Sequence, residues 1–171
     1  VIRDDRPFNY SALNNAAIDQ SQADYIVLMN NDIEAIDGGW LDAMLGWAQL
    51  DDVGAVGAKL LYPNRTVQHG GVVLGLNGVA GHAFAGLPAD TQGYFGHAIL
   101  TRCSTAVTAA TLMVSRQKFV QSGGLNETDL MVAFNDVDLC LKLHRLGYMN
   151  LITPRATLIH HESASRGSDL V

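Results

Sequence analysis

The sequence predicts an α/β fold, a mostly parallel sheet flanked by helices, and three observations carry that expectation. Short apolar runs bounded by polar residues, "YIVLM" at 25–29 and "VGAVGAKLL" at 53–61, read as buried strands. Helical patterns stand before, between and after them, so the two element types alternate. Hydrophobic residues make up 48 % of the 171 and charged residues 16 %, enough for a real core in one domain or a large piece of one.

Each element has its own warrant. After Pro7, Asn9 or Ser11 can cap a short helix with Tyr10, Leu13, Ala16 and Ala17 on one face. Tyr25–Met29 follows as a fully buried strand. In "DGGWLDAMLGWAQL", Asp37 is the expected N-cap, and Trp40, Leu41, Met44 and Leu45 or Trp47 form the apolar stripe. From Pro63 to about Ser104 the chain is glycine-rich. A strand over Val67–Leu74 and then a long loop or hairpin, of the kind that serves as a lid or binding segment, is expected there. "TAVTAATLMVS" (105–115) reads as a strand, and "SRQKFVQSGG" as a short helix stopped by Gly123 or Gly124. In "NDVDLCLKLHRLGY", Asn135 is the expected cap, Val137, Cys140, Leu141 and Leu143 face inward, and Gly147 ends the helix. Strands near Met149–Ile152 and at "ATLIHH" then lead into a polar tail.

Bulk properties exclude several functions. Net charge is −6, so no basic face advertises nucleic acid or an anionic membrane. The longest apolar runs fall far short of the roughly 20 residues a membrane helix needs. Two cysteines, Cys103 and Cys140, make no disulfide framework and fit a reducing compartment, hence a cytoplasmic location, free or peripheral to the inner membrane. The first residues, "VIRDDRPFNY", hold no signal pattern, and the chain reads as a piece of a longer one.

Three stretches carry chemistry. In "MNND" (29–32), Asn30 and Asp32 lie two apart after a buried strand. In an extended stretch both point to one side, and an amide oxygen with a carboxylate suits Mg²⁺ or Mn²⁺; a plain strand-to-helix turn would also use these residues. In "IHHESASRG" (159–167), His160 and His161 point to opposite faces, so one can reach a metal while the other stays outside. Ser163, Ser165 and Arg166 are phosphate-contacting types, Arg166 bidentately; a surface His pair in a polar tail is the bland alternative. In "FNDVDLC" (134–140), Asp136 sits in the first turn of a helix. The dipole favours its charged form there, and partial burial would strengthen it as a base. For Asp138, capping or a buried pairing is the structural reading.

Taken in order, "ADYIVLMNNDIEAIDGGWLDAML", "VTAATLMVSRQKFVQSGGLNE", "FNDVDLCLKLHRLGY" and "HHESASRG" resemble the second part of a family 2 glycosyltransferase domain, in the flavour of bacterial polysaccharide and rhamnosyltransferase-like proteins. The resemblance runs from about Phe8 to Gly167. It implies the Rossmann-like GT-A fold and makes residues 1–171 a single partial domain that lacks the N-terminal nucleotide-binding half. It implies a divalent metal, Mn²⁺ or Mg²⁺, held by Asp32, Asn30 and His160, with Ser165 and Arg166 on the donor diphosphate. It implies Asp136 as the general base of an inverting transfer from a nucleotide-diphosphate sugar to a glycan acceptor. Gly123, Gly124 and Asp138 are the acceptor-side candidates. Asn30 and Asn135 depart from the family, which has acids at both places. With part of a parallel sheet absent, the piece should self-associate and have little activity alone. Two rivals stand beside this reading: a metal-dependent nucleotidyltransferase, and a non-catalytic carbohydrate-binding or scaffold domain.

Overall fold

The computed structural model describes residues 2–76 and 78–161. The chain runs α1 (Tyr10–Asp19), β1 (Tyr25–Met29), β2 (Ile33–Ala35), α2 (Trp40–Ala48), β3 (Val53–Leu61), β4 (Val67–His69), β5 (Val72–Leu74), β6 (Ala80–His82), a 3₁₀ turn at Tyr94–Gly96, β7 (Arg102–Cys103), β8 (Thr111–Ser115), α3 (Arg116–Gln121), α4 (Asn135–Arg145) and β9 (Met149–His160). The main sheet has the order β1-β8-β3-β9-β2, with β4 added to β3 and β7 to β9. β3 and β9 are parallel, whereas β8 runs antiparallel to both β1 and β3. β1, β3 and β9 therefore share one direction, and the sheet is mixed rather than mostly parallel. The outer edge of β1 has no strand beside it among the described residues.

The sheet separates two cores. On one face Leu28, Leu112, Val114, Ala55 and Ile152 meet Ile18 of α1, Phe119 of α3 and Val137, Leu139, Cys140 and Leu143 of α4. On the other, Val56, Ala58, Leu60, Met113, Leu151 and Leu158 meet Met44 and Ala48 of α2, with Trp40 and Trp47 partly buried beside them. All of β3 is buried, as its continuous apolar run demands in the middle of a sheet covered on both faces.

Several expectations shift in detail. β1 is not fully buried: it alternates, with Ile26 and Leu28 inside and Met29 exposed, because it lies at the sheet edge. Asn9 caps α1, accepting from the Ala12 amide at 2.9 Å, and the fully buried residues of that helix are Ser11 and Ile18. Gly39, not Asp37, is the N-cap of α2; the Asp37 carboxylate instead accepts from the Gly39 amide and turns the chain into the helix. Leu41 is exposed. The expected strand at 67–74 is broken at Gly70–Gly71 into β4 and β5, and β5 pairs with β6 as a hairpin. Of residues 105–115 only Thr111–Ser115 form a strand. The N-cap of α4 is Phe134, at φ 60°, one residue before the expected Asn135, which is buried within the first turn. β9 runs unbroken through Pro154. There its register against β3 jumps from Ala58↔Thr153 to Lys59↔Thr157, a bulge that accommodates the missing amide.

Candidate functional site

The carboxyl ends of β1, β3 and β9 lie at one end of the sheet, together with the start of β8: Met29 stands opposite Thr111, and Leu61 opposite Ile159. Ligands of open α/β sheets bind outside such ends. Two clips bring distant sequence together here. β2 pairs with the last residues of β9, Ile33 opposite His160, and the His161 amide donates to the Asp32 carbonyl at 2.9 Å. The Asn30 amide donates to the Ala110 carbonyl at 3.0 Å, tying the end of β1 to the segment before β8.

Those clips place Asn30, Asp32 and His160 side by side. His160 Nε2 lies 3.1 Å from Asp32 Oδ1 and 3.4 Å from Asn30 Nδ2. His160 is buried, and its Nδ1 lies 2.7 Å from the Gln68 amide oxygen. An amide oxygen only accepts, so Nδ1 carries a proton and points it at Gln68. The other nitrogen, Nε2, then faces the buried Asp32 Oδ1, for which no hydrogen-bond donor is found among the described residues. A neutral imidazole would set two lone pairs against each other at that 3.1 Å contact. A proton or a metal cation between them removes the conflict. The donor set of one carboxylate, one imidazole and one amide suits Mn²⁺ or Mg²⁺, with Mn²⁺ the better match for the imidazole. Among the described residues no group of three or more His, Cys, Asp or Glu could hold a metal, so such an ion would need further oxygens, as a diphosphate supplies. His161 takes the other side of the strand, where its Nε2 lies 2.8 Å from the exposed Glu34 carboxylate.

Asp136 enters through a hub of three residues, Thr108, Ala109 and Ala110. The Ala109 amide donates to Asp136 Oδ2 at 3.0 Å, and the Val137 amide donates to its other oxygen at 2.8 Å. The Thr108 amide donates to His69 Nε2 at 3.4 Å, and the Ala110 carbonyl receives the Asn30 amide. One short segment thus touches the Asn30 strand end, the Asp136 helix start and the buried His69. Tyr10 joins from α1, its hydroxyl donating to the Ala109 carbonyl at 3.2 Å. Burial, and secondarily the Asp136 charge, push the Tyr10 phenol up to about 12, which keeps it a neutral donor.

Gln68, His69 and the hub were not read as site residues from sequence. The one available signal was the small-residue run "TAAT", whose Ala109 and Ala110 are buried and admit close backbone approach. His69 Nδ1 lies 2.8 Å from His82 Nδ1 on the β5–β6 hairpin, with the rings edge-on at 87°. Since Nε2 accepts from Thr108, the His69 proton sits on Nδ1 and points to His82.

The remaining candidates fall elsewhere. Asp138 pairs with Lys142 at 2.7 Å, and Lys142 also donates to the Gly124 carbonyl at 3.0 Å. Gly123 and Gly124 end α3 at φ 84° and 68°; a Cβ on Gly124 would stand 2.9 Å from the Asn15 carboxamide oxygen of α1. The described contacts of Asp138, Gly123 and Gly124 do not reach the Asp32–His160 cluster. Asn135 is buried, its amide directed at the Leu130 carbonyl at 3.5 Å. Ser165 and Arg166 lie outside the described residues. No described helix is long and apolar enough to cross a membrane.

No protein-family model matches the chain. Sequence relatives do. The protein y4gI of Sinorhizobium fredii is 54 % identical over 169 residues, covering 99 % of this chain and 19 % of that protein. The O-antigen biosynthesis protein RfbC of Myxococcus xanthus is 45 % identical over 168 residues, 98 % of this chain and 13 % of that one. An N-acetylglucosaminyl-diphospho-decaprenol L-rhamnosyltransferase of Mycobacterium tuberculosis is 35 % identical over 63 residues, 37 % of this chain and 20 % of that one. The chain therefore spans a fifth or less of the curated relatives it matches. Among solved structures, the mannosyltransferase PcManGT of Pyrobaculum calidifontis, in complex with GDP-Man and Mn²⁺, aligns over 97 % of this chain and 40 % of its own at TM-score 0.65 and 13 % identity. GalNAc-T7 with UDP, GalNAc and Mn²⁺ aligns over 94 % and 32 % at TM-score 0.73 and 11 % identity. The chain carries part of the GT-A glycosyltransferase fold, and along nearly its whole length it is a homologue of a protein of O-antigen biosynthesis.

Proposed function

We propose that residues 1–171 form the metal- and acceptor-side part of a single transferase domain, one that moves a sugar from a nucleoside-diphosphate donor to a hydroxyl of a glycan, with inversion. The observation that carries this reading is the opposed pair at the sheet end. His160 is held by Gln68 through Nδ1 with its Nε2 turned to a buried Asp32 oxygen 3.1 Å away, an arrangement that a bound cation would satisfy. Mn²⁺-containing transferases of the same fold agree with that chemistry.

A divalent ion bound there would neutralise the charge of the departing diphosphate. The chain's own residues do the rest. Asp32 and His160 would hold the ion through one carboxylate and one imidazole; Asn30, whose Nδ2 faces His160 at 3.4 Å, brings no charge and would need its amide turned over to offer an oxygen, a weaker hold than a second acid. Ser165 and Arg166 are assigned to the diphosphate oxygens. Asp136 removes the proton of the acceptor hydroxyl while that oxygen attacks the anomeric carbon. The bond to the diphosphate breaks as the new one forms, and its electron pair stays on the phosphate oxygen. The amides of Ala109 and Val137 hold the Asp136 carboxylate in place for this step. Asp138, Lys142 and Gly124 form a connected support that sets α4 against the end of α3; with Gly123 they are assigned to the acceptor side. The open edge of β1 is assigned to the rest of the domain or, in the isolated piece, to a second copy.

Asp136→Asn in the intact protein tests this. Asn keeps an oxygen for one of the two amides and turns its NH2 toward the other, so a thermal melt beside the assay separates folding from chemistry; transfer by the folded variant should fall about 10²–10⁴-fold. Transfer within a few-fold of wild type would end the assignment of Asp136 as base.

A further inference from the structure

The glycine-rich excursion between β6 and β7 ends in an exposed aromatic turn. Tyr94 and Phe95 are 76 % and 79 % exposed, the most exposed large hydrophobic residues described. Their rings meet edge to face at 4.6 Å, and the His97 ring stands edge-on to Tyr94 at 6.3 Å. Ile99 and Leu100 continue the apolar surface. Phe95 sits at φ 47°, ψ 36°, a left-handed conformation that a bulky side chain adopts at a cost, between Gly93 and Gly96, also at positive φ.

This turn is braced from below. Buried Lys59 donates to the carbonyls of Ala89 and Ala98 at 2.8 and 3.2 Å, closing the loop on itself. Arg102 donates to the His97 carbonyl at 2.9 Å and to the Gly70 carbonyl at 2.5 Å while lying over the Phe84 ring. The same guanidinium therefore joins the aromatic turn to the end of β4, whose Gln68 holds His160. A rigid support and a strained backbone that together hold two aromatic rings out in water are the reverse of what core packing produces.

We propose that the Tyr94–Phe95 turn is a stacking platform for a neutral glycan, a subsite for the acceptor chain joined to the His160 side of the site through Arg102, Gly70 and Gln68; it rests on the transferase reading. A pyranose ring offers a face of C–H bonds to the electron-rich face of an aromatic ring. It also needs polar partners at its rim, which the Tyr94 hydroxyl and the His97 ring supply. Charge separates this ligand from a lipid surface. Residues 83–100 contain no Lys or Arg and one acid, Asp90, so nothing in the loop attracts an anionic membrane.

Affinity electrophoresis of the full chain through gels containing mannan, a galactan or a rhamnose-rich polysaccharide, with metal chelated, tests the proposal. The wild type should be retarded by at least one of them. Tyr94→Ala combined with Phe95→Gly should weaken that retention at least about tenfold. Because glycine relieves the strained φ, Phe95→Gly alone should melt no lower than wild type while still binding less, a split that a merely structural role would not give. Phe95→Trp should retain binding. Retention unchanged in the double variant, or no retention of the wild type by any polysaccharide, overturns the proposal. So does a loss confined to binding of phosphatidylglycerol vesicles or to self-association in sedimentation. The two readings fail separately: glycan retention that survives alongside an active Asp136→Asn enzyme removes the base and leaves the platform, and the opposite pair of results removes the platform alone.

Discussion

At the residue scale, the site depends on protonation states set by neighbours. His69 is the clearest case. It is fully buried, and burial first, then the nearby His82, Arg102 and His160, hold it well below the ordinary histidine value. It is neutral when folded, whereas in the unfolded chain it takes a proton below about pH 6.5. The unfolded state then binds more protons, so the stability His69 contributes is present above that pH and is lost as pH falls. For one group the loss is at most about 1.4 kcal/mol per pH unit. His69→Gln keeps an acceptor for Thr108 and a donor for His82 but cannot titrate. Urea melts at pH 7.5 and 5.0 should therefore show a smaller pH difference for the variant than for wild type; equal differences would remove His69 from this role. The Asp32, His160 and Asp136 candidates came from four stretches whose order resembles one family; each stretch alone fits a turn, a polar tail or a capped helix equally. Gln68 and His69 were not legible, since nothing in a short polar break between apolar runs tells which strand it will face.

At the element scale, the clearest patterns gave the clearest elements. β3 is a continuous apolar run and is buried throughout; α4 carries its apolar residues at helical spacing and buries Val137, Cys140 and Leu143. Pattern failed where tertiary contacts decided. Residues 105–110 have strand composition, yet apart from one bridge between Ala106 and Val72 of β5 their backbone groups serve His69, Asp136 and Asn30. Pro154 looks like a strand end, but β9 absorbs it in a bulge. The cap of α4 moved to Phe134, where a left-handed turn was invisible in an aromatic residue. Packing links the core to the hub: a Cβ on Gly57 would stand 2.5 Å from Val107 Cβ, directly before Thr108. Gly57→Ala should cost about 1–3 kcal/mol in urea unfolding. Val107→Gly, which removes the clashing Cβ, should make the added cost of Gly57→Ala smaller than in the wild-type background, a coupling the double-mutant cycle reads. An unchanged midpoint for Gly57→Ala would show that this approach is not tight.

At the scale of the whole molecule, two clips between distant segments gather the candidate residues at one end of the sheet. One is the pairing of β2 with the end of β9; the other is the Asn30–Ala110 bond. The alternation of elements forecast the α/β class, but not the antiparallel β8 between β1 and β3, because period and composition carry no strand direction. That strand is what delivers the hub to the sheet end beside β1. We assign this end of the sheet to a divalent cation bound together with a diphosphate. Electron paramagnetic resonance of Mn²⁺ titrated into the intact protein, with and without a nucleoside diphosphate, reads it most directly. The free-ion signal should fall in a diphosphate-dependent way with wild type, and at least about tenfold more protein should be needed with Asp32→Ala, since one carboxylate ligand is lost. Equal Mn²⁺ uptake by wild type and Asp32→Ala, or none by either, would rule out a metal site at Asp32 and His160.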